Sequence, residues 1–308
     1  MTATTATVPS STVTPAAPPQ RRKRPVRPAR VVLYCFLTVV AFGWVAPLAF
    51  AVYASLRPYS ETAKYGYVSL PHSLSLHYYA TVWENGGLPK YFVNTMIIAV
   101  PGVLLTLFLA SFVAFAITRV RIRGGLPLLV LFTAGNLLPQ QVIAIPLYEV
   151  FKRIPLPLFM SDSQTLYDSY WGVILVHVGF QTGFCVFVLS NYMRTIPYEI
   201  SEAAVVDGAN VWKQYWTVTL PLCRPALAAL ATLEFTWIYN DFLWALVLMS
   251  TGDKYPITSA LNNLRGEYFT DYNLLAAGAV IVALPTIIVF FALQRHFIAG
   301  LTLGANKG

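Results

Sequence analysis

The sequence predicts an all-α polytopic membrane protein with six transmembrane helices, and three observations lead there. Of its 308 residues, 56% are hydrophobic and only 11% charged, with a mean hydropathy of +0.59. A soluble domain of this length carries roughly a quarter charged residues. The charges that remain leave long gaps. None falls between Arg30 and Arg57, Lys90 and Arg119, Arg123 and Glu149, Asp168 and Arg194, or Asp271 and Arg295. A run of about 18 or more apolar residues reads as a membrane-spanning helix. Finally, 14 of the 21 Lys and Arg residues gather on one side of these runs, and the positive-inside rule makes that side cytoplasmic.

Taken in order, residues 1–30 form a Thr-, Ala- and Pro-rich stretch and then a basic cluster (Arg21, Arg22, Lys23, Arg24, Arg27, Arg30). They are expected as a disordered cytoplasmic tail. The basic cluster precedes an apolar run of about 23 residues, so the first span reads as an uncleaved anchor rather than a signal peptide. Spans are expected at residues 31–55, 91–117, 126–148, 170–192, 225–250 and 272–294. Six spans place both termini in the cytoplasm, with residues 300–308 as a second tail. Residues 57–90 form an outer loop whose Tyr78, Tyr79 and Trp83 suit the membrane interface. Pro139 and Pro146 predict kinks in the third span.

Cys35, Cys185 and Cys223 show no paired spacing, so neither a disulfide framework nor a metal site is indicated. No aromatic-interleaved basic domain accompanies the charge, which argues against nucleic acid as a partner. The phosphate-cradling G-x-x-x-x-G-K-[ST] loop is absent. No triad or paired-carboxylate arrangement suggests catalysis, and His177 reads as a packed or pore-facing residue.

The most informative stretch is Glu202 to Ala228, EAAVVDGANVWKQYWTVTLPLCRPALA, within a loop spanning residues 194–224. Pro197 can occupy a first helical turn, and Glu199 and Glu202 then sit near the positive end of that helix's dipole. Ala203 and Ala204 form helix with little bulk. Asp207-Gly208 ends it through a left-handed glycine. Asn210 can cap a second helix that aligns Val211, Trp212, Tyr215 and Trp216. Pro221 and Pro225 end that helix and lead into the fifth span. Such helices could lie on the lipid surface, where basic residues would be expected. Small alanines beside an acidic residue instead suit close docking against a protein.

Within the membrane, Glu234 sits about ten residues into the fifth span. There an isolated carboxylate costs roughly 2.5–3.5 kcal/mol and should face the bundle interior. Tyr239, Asn240, Asp241 and Trp244 follow toward its outer end. Polar groups among aromatic rings suit a solute path, though holding helices together explains the same residues.

These features resemble the sugar-importer branch of ABC permeases, on the side of the smaller permease subunit of maltose-type transporters. The likeness runs from about Leu33 to Lys307. It rests on the EAA…G…LP loop, LLPQQVIAIPLYEVF, YNDFLWALVLM and the ending LQRHFIAGLTLGANKG. The family typically has Trp where this chain has Tyr239. The resemblance implies a prokaryotic cell-membrane subunit paired with a homologous second permease. Two ATP-binding subunits would bind MgATP below, and an extracytoplasmic solute-binding protein would deliver sugar above. It implies that Glu202, Ala203, Ala204, Asp207, Gly208 and Pro221 form the joint to the ATPase, with Glu202 pairing an arginine there. No cofactor would reside in this chain. An oligosaccharide is the expected cargo; a polyol or glycerol-phosphate remains the alternative, and a membrane enzyme a distant one.

Overall fold

The computed structural model describes residues 28–120, 122–135, 138–264 and 270–302, so most of both expected tails lies outside it. The described residues divide into two units between Leu48 and Ala49. Helix α1 (Pro28–Ser55) begins in the first unit, where every residue from Pro28 to Leu48 is exposed.

The second unit is a helical bundle. Short helices α2 (Tyr59–Tyr65) and α3 (His77–Glu84) lead into α4 (Leu88–Phe115), which continues as a π-helical turn, Ala116–Val120. Helices α5 (Gly125–Gly135) and α6 (Gln140–Phe151) precede α7 (Tyr170–Thr195). After α8 (Glu199–Val206) come α9 (Val211–Lys213), a π-helical stretch Gln214–Thr219, and α10 (Leu220–Leu222). Then follow α11 (Arg224–Tyr239), α12 (Leu243–Leu248), α13 (Ile257–Ala260) and α14 (Tyr272–Thr302). Among the described residues four helices are long and apolar enough to cross a membrane, or up to six if each of two bent pairs counts as one span.

Small residues let the central helices meet. Ala99, Gly102, Ala110, Ser111 and Ala114 of α4 are buried, and helix contact in lipid depends on such close backbone approach. At Gly102 the fit is tight: an added Cβ would lie 3.0 Å from Ile238 Cδ1 on α11.

Two expected spans are not continuous. The third, expected over residues 126–148, is α5 and α6 bent by 97°. Pro139 lacks an N–H and disfavours helix in the residue before it, so α6 starts afresh after it, while Pro146 is absorbed within α6. The fifth, expected over residues 225–250, ends at Tyr239 and resumes as α12. The cause is Asp241, whose carboxylate accepts the Trp244 and Ala245 amides at 3.3 Å and so starts a new helix. At the other end of the chain, α14 reaches Thr302, past the expected boundary at residue 294 and into the expected tail.

The outer loop also differs from expectation. Tyr78 and Tyr79 are half-buried; Tyr78 Oη accepts the Tyr59 amide at 3.0 Å and Tyr79 Oη meets Ser55 Oγ at 2.6 Å. Only Trp83, 50% exposed, is free for an interface.

Candidate functional site

The loop between α7 and α11 builds its shape from local bonds. Pro197 stays outside α8, which starts at Glu199. Gly208 has φ +77°, a conformation that side chains disfavour. It lets the Gly208 amide donate to Val205 O at 2.9 Å and the Ala209 amide to Ala204 O at 2.8 Å. This double bond pattern closes the helix and satisfies carbonyls that would otherwise be orphaned. Asn210 Oδ1 accepts the Lys213 amide at 2.9 Å and starts the next helix. No residue of α8 is buried; Val205 and Val206 are 59% and 86% exposed.

Beyond Asn210 the expected regular helix becomes π-helical over Gln214–Thr219. The widened turn separates the four aligned residues. Tyr215 turns inward, 1% exposed, and its hydroxyl meets Ser111 Oγ of α4 at 2.9 Å. Trp212 and Trp216 remain outside and stack on Phe112 and Phe108 at 5.6 and 6.4 Å. Pro221 does not end the helix; it lies in the first turn of α10, where a missing N–H costs little. Arg119 clamps the start of the loop through Nη2 to the carbonyls of Met193 and Ile196.

Glu234 is fully buried on α11. The Cys185 thiol of α7 donates to Oε1 at 3.1 Å, while Oε2 has no hydrogen-bond partner. Farther along, the four remaining residues do not form one wall. Tyr239 is fully buried and donates to Val282 O of α14 at 3.0 Å. Asn240 is exposed and donates to Thr236 O at 2.8 Å. Asp241 and Trp244 face α7, where His177 Nε2 lies 3.6 Å from Asp241 Oδ2 and Phe180 stacks on Trp244 at 5.4 Å. Phe180 also borders an apolar cavity of about 490 Å³ between α5, α6 and α7.

Two further clusters escaped the sequence reading. Arg57 is fully buried, and its guanidinium donates to Glu61 Oε1 at 2.9 and 3.0 Å and to Tyr67 O at 3.0 Å. The His72 amide, then Ser73 and Arg57, hold the Glu61 carboxyl down at about 2, against the opposing effect of desolvation. Asn273 of α14 joins this cluster by donating to Ala54 O and Arg57 O. Asp168, at φ +54°, accepts the Ser250 and Thr251 amides at 2.8 and 3.0 Å and the Thr251 hydroxyl at 2.6 Å. Burial alone would raise its pKa, but these bonds and Lys254 together hold it below the usual value. Arg57 and Asp168 read in sequence only as charges bounding spans. An asparagine at the start of an apolar run was the one available signal for Asn273. Among the described residues no group of three or more His, Cys, Asp or Glu is arranged to hold a metal.

The described residues thus form a bundle of apolar helices with bent helix pairs and a structured, exposed loop between α7 and α11. Residues 102–302 match the family described as binding-protein-dependent transport system inner membrane component, and the chain belongs to that family. It is a membrane protein and a component of transport rather than an enzyme. It is 35% identical over 239 residues to the alpha-glucoside transport system permease protein AglG of Rhizobium meliloti, covering 77% of this chain and 62% of that one. It is 31% identical to the osmoprotective compounds uptake permease protein GgtD of Synechocystis sp., covering 90% of this chain and 92% of that one. A bacterial ABC transporter involved in the import of the acidic polysaccharide alginate contains a chain of the same fold. The TM-score is 0.72 at 24% identity, over 87% of this chain and 95% of that chain.

Proposed function

We propose that this chain is the permease subunit of an ATP-driven, binding-protein-dependent importer of sugars, with an oligosaccharide as cargo. It forms the translocation path with a homologous second permease, spans the cytoplasmic membrane of a prokaryote and keeps both termini in the cytoplasm. The observation that carries the reading is the EAA loop: α8 exposes Glu202 and Ala203, has no buried residue, and is closed by Gly208. A surface so poor in internal contacts suits a cleft on one of two ATP-binding subunits, with Glu202 as its ionic anchor. Those subunits bind MgATP, since the phosphate loop is missing from this sequence.

A second reading is import of a smaller solute such as a polyol; the similarity to GgtD, an osmoprotective compounds uptake permease, is in keeping with a small cargo. Both readings concern neutral cargo, in keeping with expected spans that hold no Lys or Arg between their flanking charges. The test is ATP hydrolysis by the complex in nanodiscs with its binding protein and a panel of saccharides and polyols. Stimulation by one solute, dependent on the binding protein and lost in Glu202→Ala, is expected. Solute movement by this chain without any ATPase would overturn the reading.

A further inference from the structure

We propose that His177 is a solute-contacting residue, forming with Asp241 and Trp244 a hydrogen-bonding face that is shut in this conformation and opens at the break between α11 and α12. The proposal rests on the permease reading above and deepens it.

The geometry is a two-rung ladder. His177 and Phe180 are three apart on α7 and share one helical face. Asp241 and Trp244 are likewise three apart, across the start of α12. One rung is polar, His177 Nε2 to Asp241 Oδ2 at 3.6 Å, and the other is the Phe180–Trp244 stack at 5.4 Å. The polar rung is too long for a hydrogen bond.

Both sides of the ladder hold a buried polar atom with nothing to bond. His177 is 4% exposed and Trp244 1%, and neither His177 Nε2 nor Trp244 Nε1 has a hydrogen-bond partner. Buried donors and acceptors are almost always satisfied, so two orphans here mark a place where partners arrive in another state.

The ladder sits where the backbone can move. Between Tyr239 and Leu243 the helix is interrupted, and Asp241 is held by side-chain and loop bonds rather than by a continuous helix. Thr258 donates to the Asp241 carbonyl, tying the break to α13. Opening there would separate Asp241 from His177 and present a carboxylate, an imidazole and an indole N–H beside aromatic faces. That combination recognises hydroxyl groups together with the C–H faces of a sugar or polyol. It offers nothing that would select an anion.

The test uses the full complex in proteoliposomes with its binding protein and the saccharide that best stimulates ATP hydrolysis. His177→Leu is expected to lower solute imported per ATP hydrolysed at least fivefold. His177→Gln, which keeps a hydrogen-bonding end, should recover most of it. In a His177→Cys variant, a water-soluble thiol reagent should label faster during turnover, and the saccharide should slow that labelling. Unchanged import per ATP in His177→Leu, or labelling indifferent to solute, overturns the proposal. If the unsubstituted complex shows no binding-protein-stimulated hydrolysis, the permease reading itself has failed. Parallel loss of assembled complex in both His177→Leu and His177→Gln would assign the residue to packing and would also overturn it.

Discussion

The Tyr215 hydroxyl meets Ser111 Oγ at 2.9 Å, joining the loop between α7 and α11 to the C-terminal part of α4 across 104 residues of sequence. The tyrosine ring is also wedged against Phe112 and Phe115, at 5.8 and 5.3 Å. Any displacement of the loop therefore reaches α4 through a buried contact. Tyr215→Phe keeps the ring and leaves Ser111 without this partner, a loss of about 1 kcal/mol. Thermal unfolding of the purified complex should show that modest loss, and import per ATP should fall more than ATP hydrolysis does. Equal losses in both would mean that the contact only stabilises.

Glu202→Ala should leave the chain inserted in the membrane and assembled at normal levels while abolishing uptake. Because α8 buries nothing, the substitution removes no internal packing. Normal uptake by this variant would refute the role assigned to the loop.

Gly208→Val should be worse than its small size suggests. At φ +77° a side chain strains the backbone by roughly 1–2 kcal/mol, and a β-branched one more. Co-purification of the ATP-binding subunits is the direct measurement; undiminished co-purification would show that the loop tolerates another closure.

Glu61→Gln should lower the unfolding temperature at neutral pH. The Glu61 pKa falls from 4.5 to about 2 on folding, so its charged form stabilises the native state above pH 4.5. That contribution declines as pH falls from 4.5 toward about 2. The gap in unfolding temperature between the two proteins should therefore narrow across that window. A gap that stays constant would assign the effect to shape instead of charge.

Asp168→Ala removes the acceptor of two amides and a hydroxyl that tie the start of α7 to residues 250–251. Bonds to a charged acceptor are worth about 1.5–3 kcal/mol each in favourable settings. Faster proteolysis around residues 250–254 is the expected readout, and an unchanged cleavage rate would contradict it.

That the chain is a bundle of long apolar helices was legible from charge spacing, because a hydrocarbon core excludes unpaired charge. The Gly208 stop and the Asn210 cap were legible for a similar reason: each is a local solution using one residue type. The two breaks were not. Pro139 announced a kink, yet Pro146 lies quietly inside α6, and nothing local separates the two outcomes. At Asp241 the break depends on which amides the carboxylate captures. The π-helical turn that buries Tyr215 while exposing Trp216 changes the periodicity on which the apolar face was read. Tyr239 and His177 show the same limit, since their partners Val282 and Asp241 lie on other helices.

The closure of α8 at Gly208 has one more consequence. Its bonds, Gly208 to Val205 and Ala209 to Ala204, lie within the helix and its own cap. The loop's shape is thus stored locally and does not wait for a partner to impose it. A segment already folded loses little conformational entropy on binding, so more of the contact energy survives as affinity.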